Sequence, residues 1–251
     1  MSETVLFVHG AAGDARIWSP VIDALPKGID GRALTLTYFG DAPWPDDGRN
    51  FGTQVHAADI TAAARETGQP VHVVSWSYGV HPTLAALLDA PDLFSSALFY
   101  EAALPHYIER DAERRDYLKA WHALFGPVAK ATRQSGAEAG LAALLGEAAQ
   151  YIRPERLAIY RENARMMPLL FGGGQEPAAI TPAELAVNST PCCAALGKDT
   201  DPTFAIPTRA LATAIPGAVL EELPGANHFL PELDPGRFAG LVEGWIASLP
   251  R

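Results

Sequence analysis

Apolar residues recur along this 251-residue chain in two patterns. Short continuous runs closed by glycine or proline predict buried strands, and longer stretches with apolar residues at helical spacing predict helices. The strand pattern falls on "TVLFVHG" (4–10), "RALTLTYFG" (32–40), "PVHVVS" (70–75), "SALFYEA" (96–102), "TPCCAALG" (190–197) and "GAVLEEL" (217–223). The helical pattern falls on 18–26, with Pro20 near its first turn, and on 51–66, 78–90 and 235–249. Strands alternating with helices predict βαβ crossovers. The expected fold class is α/β: a mostly parallel, six-stranded sheet with helices on both faces.

The alternation breaks between residues 104 and 190. "RRDYLKAWHALF", "GLAALLGEAAQYI" and "ERLAIYRENARMM" are all helical in pattern, and no strand separates them. Such an insertion predicts a helical cap (104–190) over one end of a core built from 1–103 and 191–251. The cap ends in "FGGGQEPAAITPAEL", whose glycines and prolines mark a flexible return.

Composition narrows the class. Hydrophobic residues at 48% suffice for a core, and charged residues at 19% argue against disorder. The net charge of −10 disfavours a nucleic-acid partner, and the mixed-sign "ERDAERR" reads as a solvated helix face. Cys192 and Cys193 are sequence neighbours and form neither an ordinary bridge nor a metal set, so no metal is expected. "MSETVLFVHG" lacks a basic region before its apolar run, and no stretch is long enough to span a bilayer. A cytoplasmic protein without membrane association is expected. The oligomeric state is not legible.

The candidate chemistry starts at "VVSWSYGV" (73–80), where a buried strand ends at a serine between two aromatics. A strand feeding a helix through a very tight turn lifts one side chain above the sheet. The residues two before and two after that apex must be small, because the two backbones nearly touch. Ser75 and Gly79 meet that demand around Ser77, as in the G-x-S-x-G nucleophile elbow. Trp76 and Tyr78 then point aside and pack the elbow. The alternative is that Ser77 only caps the helix.

A serine nucleophile needs a base. Of seven histidines, His228 in "LPGANHFLPELDP" stands in a loop after the last strand, at the sheet end where α/β folds bind ligands. His72 reads as mid-strand core, His56 and His122 as helix-face residues, and His106 as lying at the cap entrance. The loop "HGAAG" can aim a backbone N–H at an oxyanion. The expected pair of donors is Ala11 and Tyr78, with His9 as a structural residue of the turn. A phosphate-cradle reading of the loop fails for want of Gly-Lys-Ser/Thr.

"VHGAAGDARIW", "SWSYG" and "PGANHF", in that order, resemble the α/β-hydrolase family over nearly the whole chain. The resemblance implies a cap after the sixth family strand, with the first two family strands absent. The family's usual acid follows the next strand as G-x-x-D, and this chain departs from it. The third residue after Gly197 is Thr200, flanked by Asp199 and Asp201. Glu101, at the end of "LFYEAALP", resembles the acid of part of the haloalkane dehalogenase branch. Glu101 is the favoured acid, because a buried carboxylate without a partner is costly. Asp199 and Asp201 remain alternatives.

Ser77 in place of the elbow Asp of dehalogenases and epoxide hydrolases points to acyl transfer, or to hydrolysis of a carbon–carbon bond beside a ketone. The expected function is a serine esterase with a Ser77–His228–Glu101 triad. A vinylogous-diketone or lactone hydrolase is the alternative within enzymes, and a non-catalytic ligand-binding protein the alternative outside them. The expected partner is a small-molecule substrate, and no organic cofactor is required. Candidate pocket walls are Trp76, Tyr100, His106, Trp121, Met166, Met167 and Phe171, mostly apolar. They favour a small or medium apolar acyl or aromatic ester.

Overall fold

The computed structural model describes residues 2–250. Six strands, β1 (Glu3–Val8), β2 (Ile29–Leu34), β3 (Val71–Trp76), β4 (Phe94–Tyr100), β5 (Cys192–Gly197) and β6 (Val219–Leu223), form one sheet. Its order is β2-β1-β3-β4-β5-β6, and every pairing is parallel. The helices, in chain order, are α1 (Ser19–Asp23), α2 (Thr53–Glu66), α3 (Val80–Asp89), α4 (Asp111–Ser135), α5 (Ala137–Leu145), α6 (Pro154–Glu162), α7 (Pro182–Leu185), α8 (Pro202–Ala214), α9 (Leu230–Leu233) and α10 (Pro235–Ser248).

The inner strands β3 and β5 are buried at every residue, and β1 and β4 at all but one. A strand buried on both sides of its pleat has helices over both faces. The outer strands β2 and β6 are half-exposed, and their sequences "IDGRAL" and "VLEEL" carry the charges that an edge tolerates.

The second strand differs from its expected place, 32–40. Its pairing runs over Ile29–Leu34, and the apolar residues beyond it are buried in a turn. The Leu36 N–H donates to His9 Nε2 at 3.1 Å, and the Thr37 N–H donates to the Asp59 carboxylate at 2.7 Å. Phe39 N–H closes on Leu36 O, and Tyr38 has φ +75°. Side-chain acceptors from neighbouring segments replace the ladder there, so apolar spacing alone misplaced the strand. The first expected helix, 18–26, is a single 3₁₀ turn at Ala15–Trp18 followed by the short α1. The helix expected from residue 114 runs on through Pro127 as far as Ser135.

The helices α4 to α7 all lie between β4 and β5 in sequence. Buried polar groups fasten them to the rest of the molecule. Arg156 on α6 donates from Nε to Glu232 Oε2 at 3.0 Å and from a terminal nitrogen to Glu232 Oε1 at 2.8 Å. The Tyr160 hydroxyl donates to the same Oε1 at 2.9 Å, and Arg156 also reaches Arg16 O at 2.8 Å. Asn163 donates to Asp14 at 2.7 Å and accepts from the Gly40 N–H at 2.6 Å. Among the described residues no helix is long and apolar enough to cross a membrane.

Candidate active site

In the observed strand order the chain leaves β1 toward β2 on one side and continues from β3 toward β6 on the other. The carboxyl ends of β1 and β3 therefore flank a topological switch point, the crevice where open α/β sheets bind ligands. The loop after β1 and the turn after β3 meet there. A Cβ on Gly10 would lie 3.2 Å from Ser77 Cβ and 3.4 Å from Trp76 O. A Cβ on Gly79 would lie 2.5 Å from His9 O, so only glycine lets the start of the helical turn pass the end of β1. Ser77, between them, has φ +56°, the left-handed region that costs a non-glycine residue roughly 1–2 kcal/mol. Ser75 is fully buried and Ser77 lines the crevice.

The aromatics beside Ser77 are held by partners of their own, and both stand in the lining of the same crevice. The Tyr78 hydroxyl donates to His56 Nδ1 at 2.8 Å, because His56 Nε2 donates to Thr37 O. Trp76 packs between Trp18, with ring centroids 6.2 Å apart, and His228, at 5.6 Å. His9 donates from Nδ1 to Gly10 O at 2.8 Å while its Nε2 accepts from Leu36 N–H. It ties the loop after β1 to the turn after β2, and burial lowers its pKa to about 4. The Ala11 N–H in that loop donates to no protein group among the described residues. Tyr78 N–H stands in the first turn after Ser77, where amides lack intrahelical acceptors.

Glu101 follows the last residue of β4 and is fully buried. It too has a left-handed backbone, φ +56°. Its Oε1 accepts the Gly197 N–H at 2.9 Å, and its Oε2 accepts the Thr200 hydroxyl and His228 Nδ1, both at 2.7 Å. A carboxylate with three donors is a satisfied buried charge. It also fixes the imidazole: with Nδ1 donating to Glu101, Nε2 is the free acceptor. Thr200, at the position where the G-x-x-D pattern would put an acid, donates to the acid that is present.

The loop carrying His228 is pinned from below. A Cβ on Gly197 would collide with Ala226 O at 2.1 Å, and the Asp199 N–H donates to Ala226 O at 3.0 Å. The Tyr100 hydroxyl donates to Asn227 O at 2.7 Å. Above, Phe204 from α8 stacks on the imidazole, with centroids 3.7 Å apart and planes 10° from parallel. The His228 side chain is 15% exposed, and it opens on the cavity that Ser77 and Ala11 also line. The Ser77 hydroxyl makes no hydrogen bond to a protein group among the described residues. The cavity has a volume of about 1000 Å³ and a mostly apolar lining, shared between the strand ends and the helices inserted after β4.

A sequence profile described as the alpha/beta hydrolase family matches residues 5–241. The chain belongs to the alpha/beta hydrolase family.

Solved structures of similar fold include a thermophilic esterase from Thermogutta terrifontis, 17% identical with a TM-score of 0.73 over 98% of this chain and 90% of that one. The enol-lactonase from Burkholderia xenovorans is 17% identical, with a TM-score of 0.74 over 99% and 92%. Bacillus megaterium epoxide hydrolase is 16% identical, with a TM-score of 0.77 over 99% and 94%. At such identities the likeness is one of fold. No relative among curated protein sequences matches the chain.

In this alpha/beta hydrolase the cavity receives most of the expected wall. Trp76, His106, Trp121 and Phe171 line it. Tyr100, Met166 and Met167 do not: each is fully buried, and Tyr100 turns inward to hold the His228 loop. Asp199 and Asp201 line the cavity without reaching His228. Asp201 instead caps α8 by accepting the Thr203 N–H at 2.8 Å.

His122 also lines the cavity. His72 is buried near the start of β3, beside Ser96 at 2.8 Å. Two residues have no sequence signal of their own. Phe204 becomes visible only once α8 is seen to stack on the imidazole. His81, one helical turn past Ser77, lies in the cavity wall with its Nδ1 accepting from Tyr107 and its Nε2 donating to Ala178 O, both at 2.8 Å.

Proposed function

We propose that the protein is a serine hydrolase that cleaves a largely apolar carboxylic ester through an acyl-enzyme. The observation that carries this reading is the buried Glu101–His228 hydrogen bond at 2.7 Å, with the imidazole facing the cavity lined by Ser77. The free His228 Nε2 takes the proton of Ser77 as Oγ attacks the acyl carbon. It then passes that proton to the departing alkoxide. A water molecule, deprotonated by the same nitrogen, attacks the acyl carbon of the ester on Ser77. The carboxylic acid leaves and the serine regains its proton.

Ala11 and Tyr78 supply the backbone N–H groups for the oxyanion, and Glu101 steadies the imidazolium that forms in each half of the cycle. The Ser77–His228 hydrogen bond closes when substrate arrives, as catalytic hydrogen bonds commonly tighten in the substrate complex. Residues 104–190 act as the cap that completes the pocket.

The test is covalent and kinetic. Phenylmethylsulfonyl fluoride should label one residue, Ser77, by peptide mass. Ser77→Ala should lose both the label and the hydrolysis of p-nitrophenyl butyrate, and His228→Ala should slow labelling by orders of magnitude. Labelling elsewhere, or esterase turnover that survives Ser77→Ala, would overturn the proposal.

A further inference from the structure

His228 stands on a surface loop. Pro224, Gly225 and Asn227 beside it are exposed, so regular structure does not fix the direction of its ring. The hydrogen bond from Nδ1 to Glu101 Oε2, at 2.7 Å, anchors one point of the imidazole rather than its plane. The lone pair of Nε2 lies in that plane. A tilted ring would aim it away from the serine hydroxyl, and proton transfer depends on that alignment.

Among the described residues three aromatic rings pack on the imidazole. Trp76 lies 47° from its plane and Phe229 meets it at 86°, each with centroids 5.6 Å apart. Of the three, Phe204 alone lies flat on it, with centroids 3.7 Å apart and planes 10° from parallel. Phe204 is itself held. Its N–H donates to Asp201 O at 2.9 Å in the first turn of α8, which the Asp201 carboxylate caps. Its ring is met edge-on by Phe125 of α4, with centroids 6.1 Å apart and planes at 89°. Phe125 belongs to the helices inserted after β4, and it packs in turn against Trp121 at 5.7 Å and Phe171 at 6.2 Å.

Resting on the serine-hydrolase reading, we infer that Phe204 is a positioning residue that sets the plane of the base, and that Phe125 backs it from the inserted helices. The insertion then does more than cover the pocket, because it reaches the base through two phenyl rings. His228 takes a proton from serine in one half of the cycle and from water in the other. A misaligned ring therefore slows acylation and deacylation alike. kcat falls, whereas KM, set by substrate affinity and the ratio of those two rates, stays. A residue that only walled the pocket would do the reverse, raising KM and sparing kcat.

The experiment uses p-nitrophenyl acetate, whose acyl group is too small to lean on a distant wall. Phe204→Ala should lower kcat about tenfold, the equivalent of about 1.4 kcal/mol and the upper end of what an aromatic pair contributes. KM should stay within about twofold of wild type. Phe204→Tyr should keep most of the rate, while Phe204→Leu, which refills the space without a flat face, should not. These variants keep the test decisive if the alanine does not fold. Phe125→Ala should lower kcat about threefold in the wild type and no further in the Phe204→Ala enzyme, because its effect runs through the missing ring. The downfield proton NMR signal of His228 Nδ1–H should be sharp in wild type and in Ser77→Ala, and broaden in Phe204→Ala. Raised KM with kcat retained in Phe204→Ala, or full rescue by leucine, would overturn the positioning role while leaving the esterase reading intact. Multiplying effects of the two truncations would overturn the path from the inserted helices. No turnover of any ester, with Ser77 unlabelled by phenylmethylsulfonyl fluoride, would overturn both readings.

Discussion

Replacing Glu101 by glutamine changes one atom and should nearly stop the enzyme. The carboxylate accepts at both oxygens: Gly197 N–H on Oε1, and Thr200 Oγ1 and His228 Nδ1 on Oε2. An amide has one accepting oxygen. Turned one way, its NH₂ faces the Gly197 N–H, and the imidazole keeps its orientation but loses the negative charge beside it. Turned the other way, its NH₂ donates to Nδ1, the proton moves to Nε2, and the base can no longer take a proton from serine.

The first arrangement leaves two donors facing each other in the core, at a cost of about 1–3 kcal/mol. The loss in rate, by analogy with the amide substitution in other serine triads, is about 10⁴-fold. That corresponds to about 5 kcal/mol of transition-state stabilisation. The assay is kcat/KM for p-nitrophenyl butyrate, with urea denaturation to check folding. Asp199→Asn, measured beside it, should cost less than tenfold, since Asp199 is exposed and does not bond His228. A Glu101→Gln enzyme within tenfold of wild type, beside an Asp199→Asn enzyme that has collapsed, would refute the assignment of the acid.

Three further predictions concern the framework. Arg156→Met should destabilise the fold by about 3–5 kcal/mol, because the Glu232 side chain, 2% exposed, loses its partner; Arg156→Met with Glu232→Leu should recover most of this in urea denaturation, and full additivity of the two would contradict the pairing. His9, His56 and His81 are each held near pKa 4 by burial, below the ordinary 6.5. Between those values the unfolded chain binds more protons than the native one, so stability should fall as pH drops from 6.5 toward 4, by on the order of 3 kcal/mol per pH unit at the steepest. Urea midpoints that stay level from pH 7 to pH 5 would contradict it. Gly79→Ala would set a Cβ 2.5 Å from His9 O, and such overpacking against backbone costs about 1–3 kcal/mol; a stable variant with wild-type turnover would show that the turn needs no glycine.

The elements that position the site are legible where the cause is local. The small residues around Ser77 answer to a steric limit inside five residues, and that limit reappears as Gly79 against His9 O. Glu101 stands out because a carboxylate at the end of an apolar strand needs donors, and the fold supplies three. What is not legible depends on distant segments. Tyr100 and Met167 are apolar enough to be walls, yet side-chain direction at the end of a strand or in a short helical turn is set by neighbours far along the chain, and both face the core. Phe204 follows "DP" in a run that reads as an ordinary helix start, and its place on the imidazole comes from how α8 packs. Leu36 and Phe39 prolonged the apparent β2, although His9 and Asp59 claim the amides of that segment.

The bonds from Arg156 and Asn163 give the pocket a bolted ceiling. Lifting it to admit a guest would separate Arg156 from Glu232 and free both buried groups to water. Gaps between side chains offer another route, and the exposed Arg133 and Glu147 both stand in the cavity lining. For anyone retuning this scaffold, the levers are residues that narrow or widen those doorways, whereas loosening the fasteners would surrender shape without adding room.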